Sequence, residues 1–325
     1  MASPNSSWTE LITSTLEKRQ RVATDNMKKN VPLFDFLNKK GNVQTFSGGR
    51  TIIREIEYAA NSTVMNYSGY ELLDPTPQDI LTAAEFSIKQ KAVAITMSGL
   101  EKLQNAGKEQ IINLAAVRYK NAEKSMINSL GGDCFSDGTG SDGKQLTGLQ
   151  SAIADTSTGT YGGISRSTYT WWKNISKSAS TDFGAGIDAS NILDYINRCQ
   201  ILSTRDGDLT DVIFADNTYY QHAWNAVNAI TRLQSENDSG KVGYRYIIVN
   251  GVKLVLANGS NNNCPSLHMY GLNTDYIYLM AHSDCNMTKL GKERLPERQD
   301  ASITYMGWAG NLVCSNSSLQ WVLTA

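Results

Sequence analysis

The chain has 325 residues, of which 41% are hydrophobic, and sets 30 Lys and Arg against 31 Asp and Glu. That length buries a large core and ordinarily divides into about two domains. A formal net charge of −1 argues against a wholly cationic nucleic-acid binder and against a protein held electrostatically on an acidic membrane.

Cys134, Cys199, Cys264, Cys285 and Cys314 are scattered and form no CxxC pair. Such usage favours reduced cytosolic thiols over a disulfide framework. The first residues carry no charged-then-apolar secretion signal. The longest apolar runs, such as residues 246–249, are too short to span a bilayer. The Asn-x-Ser/Thr triplets at Asn61 and Asn174 are therefore read as chance in an Asn- and Ser-rich chain.

Residues 7–30 read as one helix with a thin apolar stripe of Leu11, Leu16 and Val22. Residues 18–40 contain Lys18, Arg19, Arg21, Lys28, Lys29, Lys39 and Lys40 against Asp25 and Asp35. That stretch is either a solvated helix face or an arm that touches nucleic acid electrostatically. Pro32 is expected to interrupt the helix. The apolar island of Leu33, Phe34, Phe36 and Leu37 is expected to anchor the arm, on a partner or on the body.

Residues 48–98 read as two long polar strands joined by a loop, outgoing over residues 50–58 and returning over residues 85–95. Glu55 and Glu57 on the first are expected to face Lys89 and Lys91 on the second, a favourable cross-strand arrangement. An isolated two-stranded ribbon is marginal in water. At about 3.3 Å per residue, a dozen-residue arm reaches about 40 Å, beyond the radius of a domain this size. The ribbon is therefore expected to rest on a second copy of the chain. Its tip, residues 61–79, combines the loop formers Asn66, Gly69, Asp74, Pro75 and Pro77 with Met65, Tyr67, Tyr70, Leu72 and Leu73. Local packing and contact with a neighbour are both open for these apolar side chains.

The spacing of Ile111, Ala115, Tyr119, Ala122, Met126 and Leu130 predicts a helix over residues 108–130, about 35 Å long, with Gly131 and Gly132 as its stop. The glycine-rich stretch of residues 134–148 lacks GxxxxGK[ST] and follows a helix, so it does not read as a phosphate loop. In residues 160–174, Gly162 and Gly163 suggest a backbone bend. Tyr169, Trp171 and Trp172 suggest burial, with a carbohydrate- or base-stacking platform as the alternative.

From residue 187 helices and strands alternate. Asp188 or Ser190 caps a helix through Leu202, with the stripe Ile192, Ile196 and Cys199. Residues 211–215 form a short buried strand, and Asn217 opens a helix. Residues 244–256 form a hairpin about Asn250-Gly251, a pair suited to a type I′ turn. Residues 303–305, 311–314 and 319–323 are strand-like and are expected to return to the earlier domain.

Chemistry is not nominated anywhere. His222, His268 and His282 sit in no HExxH, and Cys264, His268, His282 and Cys285 match no familiar zinc spacing. No nucleophile or dinucleotide motif occurs in a suitable context. The expectation is a protein that is not an enzyme, with no catalytic residue, cofactor or metal.

An arm, a ribbon, a long helix, an α+β region and a return strand follow in that order. The most specific phrases are Gly162-Gly-Ile-Ser-Arg-Ser-Thr-Tyr-Thr-Trp-Trp-Lys-Asn174 and the tail from Gly310-Asn-Leu-Val-Cys314 to Leu323. In this the chain resembles the major capsid, or major head, proteins of tailed double-stranded-DNA phages, which have the α+β Hong Kong 97 capsid fold. The resemblance implies an N-terminal arm (1–47), an E-loop ribbon (48–98) and a peripheral domain with the spine helix (99–187). An axial domain (188–286) and strands returning to the peripheral domain (287–325) complete it. It implies self-assembly into an icosahedral shell of pentamers and hexamers around DNA, located in the virion and built in the host cytoplasm, with no membrane. Inter-subunit contacts would fall to Arg54, Glu55, Glu57, Tyr67, Tyr70, Lys89 and Lys91. Ile111, Ala115, Tyr119 and Met126 would pack the spine helix, and Tyr169, Trp171 and Trp172 the peripheral domain. Lys18, Arg19, Arg21, Lys28 and Lys29 would face DNA. Because Met1 lies close to the arm, a separate scaffolding protein is expected beside the portal, without removal of an N-terminal segment. No Lys–Asn cross-linking pair is assigned. Two other classes remain: another virion or adhesion-type binding protein using Tyr169, Trp171 and Trp172, and an enzyme built on residues 188–286.

Overall fold

The computed structural model describes residues 31–104, 114–230, 246–257, 264–291 and 300–325. The helix expected over residues 7–30, the cations Lys18, Arg19, Arg21, Lys28 and Lys29, and Ile111 all lie outside the described residues.

Pro32 opens a helix, and the helix it is expected to interrupt lies outside the described residues. Helix α1, Pro32–Lys39, carries proline in its first turn, where the missing N–H has no intrahelical partner to lose. Leu33 and Leu37, one turn apart, are fully buried, and each stabilises the packing by about 1.5–3 kcal/mol. The apolar island thus anchors on the chain's own body. The next strands are β1, Val43–Phe46, β2, Thr51–Glu57, β3, Leu81–Ser87, and β4, Lys89–Ser98.

Helix α2, Gly99–Gln104, and helix α3, Leu114–Asp133, follow. Gly131 and Gly132 do not stop α3, which runs on to Asp133. Gly131 is there for contact: a Cβ on it would overlap the side chain of Val31, just before α1. Ala122, Met126 and Leu130 are buried, while Ala115 and Tyr119 are only half-buried on the margin.

Apart from short helical turns, the elements that follow are β5, Thr160–Tyr161, β6, Ile164–Ser165, β7, Ile175–Ser178, α4, Ile192–Ser203, β8, Val212–Ala215, and α5, Asn217–Ile230. Then come β9, Tyr246–Val249, β10, Val252–Leu256, β11, His268–Leu272, β12, Ile277–Lys289, β13, Ala301–Cys314, and β14, Trp321–Thr324. Asn250 and Gly251 have φ of +50° and +78° between the paired Val249 and Val252, as a two-residue hairpin turn requires.

Two larger sheets organise the chain. One has the order β1-β12-β13-β4 and the other β7-β14-β11-β8-β10-β9. Burial in the second follows the strand period of two. Val212, Phe214, Val255, Tyr270, Leu272 and Val322 face one apolar cluster with α1 and α3. Ile213, Ala215, Leu254, Met269, Trp321 and Leu323 face another with α4 and α5. Both faces are covered, which is why β8 and β14 are apolar without alternation.

The topology departs from the expected return. β13 enters the four-stranded sheet, but β14 inserts between β11 and β7 in the six-stranded sheet. Of its four residues, Trp321, Val322 and Leu323 are fully buried, so it is held by both faces of the sheet to which residues 188–286 contribute most strands. β7, from the stretch before residue 187, joins the same sheet.

Trp321 lies directly across from Gly271, and its Nε1–H donates to Thr210 Oγ1 at 3.0 Å. A Cβ at Gly271 would fall inside that indole. Gly271→Ala is therefore expected to destabilise the subunit by about 1–3 kcal/mol through overpacking, read as a lower urea midpoint with unchanged slope.

Candidate assembly surface

The ribbon is a short root and a long loop. β2 and β3 pair antiparallel from Thr51 with Ser87 to Glu57 with Leu81. Even-numbered residues face the body: Ile52, Ile56, Ala84 and Phe86 are buried, and odd-numbered Ile53, Glu55, Glu57 and Glu85 face outward. The body meets this face closely. Phe86 sits edge-on to Tyr161 at 5.1 Å, and Glu85 N–H donates to Gly162 O at 2.9 Å. Gly162 has φ +58°, and a Cβ there would overlap Ala84 and Phe86. Both the turn and the close approach of the ribbon demand glycine.

The expected pairing of Glu55 and Glu57 with Lys89 and Lys91 does not occur. The chain changes sheets at Ile88, so Glu55 stands opposite Ala83, and Glu57 opposite Leu81. Lys89 and Lys91 belong to β4, whose partner is β13. Lys91 pairs with Asp133 and donates to Ser129 Oγ at 2.7 Å, and Lys89 donates to Gly143 O. Arg54 also turns inward, its guanidinium 4.1 Å from the Tyr278 ring centroid and 2.6 Å from Gln44 Oε1. These three cations are used within the chain. Of the residues expected at an interface, Glu55, Glu57, Tyr67 and Tyr70 stand exposed.

A buried residue missed by sequence reasoning fixes the switch between sheets. Asn311 Nδ2 donates to Ser87 O at 2.9 Å, and its Oδ1 accepts from Thr147 N–H at 3.0 Å. Asn311 is completely buried. Its only signal is a polar residue inside the otherwise apolar run Trp308-Ala-Gly-Asn-Leu-Val-Cys314.

Beyond the root, residues 58–80 hold no regular structure apart from turns. Polar side chains organise them: Asn61 Oδ1 accepts from Thr63 N–H at 2.9 Å and Asp74 Oδ1 from Thr76 N–H at 3.0 Å. The hydrogen bonds from Thr76 hold the Asp74 carboxyl below the ordinary carboxylate range. The apolar side chains find no burial. Val64 is 86% exposed, Leu72 92%, and Tyr70 is fully exposed, with Met65, Tyr67 and Leu73 beside them in sequence. So dense a run of exposed apolar side chains marks an interaction surface. A second exposed group, Ile201, Leu202 and Leu209, lies at the end of α4 and in the turn after it.

The aromatic cluster is packing. Trp172 is buried and its Nε1–H donates to Tyr161 O at 3.0 Å. Trp171 is stacked on Tyr58 at 5.5 Å, so that face is unavailable to a ligand, and Tyr169 alone is half exposed. Glu55, Glu57, Tyr58, Trp171, Arg205 and Tyr276 border a cleft of about 380 Å³ between ribbon and body. Arg166, in the same phrase, is buried with Nη2 donating to Ser151 O at 2.9 Å and to Ala152 O.

Among the described residues no group of three or more His, Cys, Asp and Glu is placed to hold a metal, and no helix is long and apolar enough to cross a membrane. Cys264 Sγ–H donates to His268 O, and His282 packs edge-on to Phe46. Burial pushes the Cys314 thiol up to about 11 and that of Cys199 to about 12, which keeps both protonated and unreactive at neutral pH.

No family model matches the sequence, and no curated protein matches it. Solved structures do. The Cyanophage A-1(L) capsid asymmetric unit aligns with a TM-score of 0.71 at 15% identity, over 97% of this chain and 98% of that one. The capsid of an empty GTA particle aligns at 0.56 and 7% identity over 99% of each chain. The capsid of Myoviridae phage XM1 aligns at 0.54 and 12% identity, over 95% and 96%. The chain has the Hong Kong 97 capsid fold. Within this capsid fold, the ribbon root is fastened at Asn311 and Gly162, and the loop beyond it leaves Val64, Tyr70 and Leu72 exposed. Asn311→Ala strands the Ser87 carbonyl and the Thr147 N–H, and is expected to cost about 1–3 kcal/mol. Hydrogen exchange should show β2 and β3 losing protection more than β8.

Proposed function

We propose that the chain is a major capsid protein that assembles into an icosahedral shell of pentamers and hexamers around phage double-stranded DNA. One observation carries the reading: Val64, Tyr70 and Leu72 are held in water on a loop whose root is packed on the body. Burying them against a second copy recovers about 25 cal/mol for each Å² of apolar surface removed from water. Head-to-tail contacts of this kind close into rings.

In this reading residues 48–98 are the E-loop and α3 is the spine helix of a peripheral domain (99–187). Residues 188–286 with β7 and β14 form the axial domain. Ile201, Leu202 and Leu209 meet their copies around the ring centres. Glu55 and Glu57 lie on the ribbon's outward face and pair with cations of a neighbour. Exposed ion pairs are individually weak, but a shell repeats them in every subunit, so small terms accumulate. Lys18, Arg19, Arg21, Lys28 and Lys29 face the packaged DNA through contacts that read charge and not sequence. A scaffolding protein and a portal are the further partners, the virion is the final location, and assembly takes place in the host cytoplasm. The role is structural, not enzymatic.

Replacing residues 61–79 with a short Gly-Ser turn is expected to abolish closed particles in negative-stain micrographs. The unfolding free energy of the unassembled subunit should stay within about 0.5 kcal/mol of the parent. Normal shells from that variant would overturn the reading. Reversing Glu55 and Glu57 together to Lys should lower the yield of shells while leaving the subunit's thermal midpoint nearly unchanged.

A further inference from the structure

His268 opens β11 with its ring set between two oxygen acceptors. Nδ1 lies 2.7 Å from the Ser266 carbonyl oxygen, and Nε2 lies 3.1 Å from Asp155 Oδ2. A neutral imidazole has one N–H and can donate to only one of them, so its other nitrogen would set a lone pair against an oxygen lone pair. Only the imidazolium donates to both. The site is half enclosed, with the His268 side chain 18% and the Asp155 side chain 37% exposed.

The surroundings favour the same form. Asp155 Oδ1 is buried and has no hydrogen-bond partner among the described residues, so its charge is compensated mainly by the ring. Asp216, fixed at the start of α5 by N–H groups of Tyr219 and Leu267, adds a second negative charge near His268. Tyr270 stacks beside the ring at 6.0 Å, and the Cys264 thiol donates to the His268 carbonyl. Among the described residues, Asp155, Asp216, Tyr270 and Cys264 are the titratable groups around it, and none of them is cationic. Burial lowers the pKa of His268. The hydrogen bonds to Asp155 and Ser266, with the charges of Asp155 and Asp216, outweigh that and raise it above the ordinary 6.5.

Asp155 belongs to the segment that leads into β5, and that segment is tied to the chain entering β7. Asn174 Nδ2 donates to Ala154 O at 2.8 Å, Ser157 Oγ donates to Asn174 O at 2.6 Å, and Ser176 Oγ donates to Asp155 O. We propose that His268 and Asp155 form a protonation-dependent latch, closed when the imidazole carries both protons, that fastens β11 to the segment of residues 153–159. A histidine whose folded pKa is raised contributes stability that is complete below its unfolded pKa of about 6.5. That contribution is lost as pH rises through the higher folded value. The latch is therefore closed in mild acid and opens toward alkaline pH. It does not depend on whether the chain builds a shell.

The test uses the full chain as the unassembled subunit. The chain has three histidines, so its imidazole resonances are separable by NMR and assignable with His268→Gln. His268 is expected to titrate above 6.5, and Asp155→Asn, which keeps the shape and removes the charge, is expected to lower that midpoint. Hydrogen exchange of residues 153–159, corrected for its intrinsic pH dependence, should rise several-fold as pH crosses the wild-type midpoint and stay flat in His268→Gln. A His268 midpoint at or below 6.5, a midpoint unmoved by Asp155→Asn, or exchange that does not follow the titration would overturn the latch.

Discussion

Among the described residues, nothing covers Val64, Tyr70 and Leu72 on the loop of residues 58–80. The ribbon that carries it is pinned at the root by Ile52, Ile56 and Phe86, by the close approach at Gly162 and by the Asn311 bond to Ser87. These contacts spend the inner face of the ribbon on the body and leave the loop projecting. Hydrogen bonds donated by Thr63 and Thr76 to the side chains of Asn61 and Asp74 shape the loop without covering Val64, Tyr70 or Leu72. Apolar surface held in water carries a hydration cost that burial relieves.

The rest of the fold supplies the rigidity this arrangement requires. The six-stranded sheet is packed on both faces, one against α1 and α3 and the other against α4 and α5. β13 runs along the four-stranded sheet and β14 then passes into the six-stranded one. The last 25 residues therefore join the two sheets. Lys40 adds a polar tie, reaching Asp211 before β8 and Asp275 before β12 at 2.8 and 2.7 Å. Burial lowers its pKa, and the bonds and charges of the two carboxylates more than offset this, so the ammonium form is favoured.

Features fixed by neighbours in sequence were legible. Asn250-Gly251 announced its hairpin because two consecutive residues with positive φ are a local demand. The apolar repeat of α3 announced its buried face at Ala122, Met126 and Leu130. Features fixed by distant partners were not. In residues 81–98 the apolar phase moves from even positions (Ala84, Phe86, Ile88) to odd ones (Val93, Ile95, Met97) across Lys89-Gln-Lys91, and reading the stretch as one strand passes over that shift and puts Lys89 and Lys91 one strand too early. Gly131 looked like a helix stop, but its reason is Val31, a hundred positions away. The place of β14 depends on β7 and β11 together, and two non-local pairings cannot be read from one apolar run. Of the expected surface residues, Glu55, Glu57, Tyr67 and Tyr70 stand exposed. Arg54 lies inside because the strand period puts it on the same face as Ile52 and Ile56.

Hydrogen exchange of residues 58–80, compared between the dispersed subunit and the assembled particle, reads most directly whether that surface is completed by another copy. Fast exchange in the free chain and slow exchange in the particle is the expected result, with the ribbon root protected in both. Equal exchange of the loop in the two states would contradict it, because the apolar tip would then face water in the finished assembly as it does in the single chain.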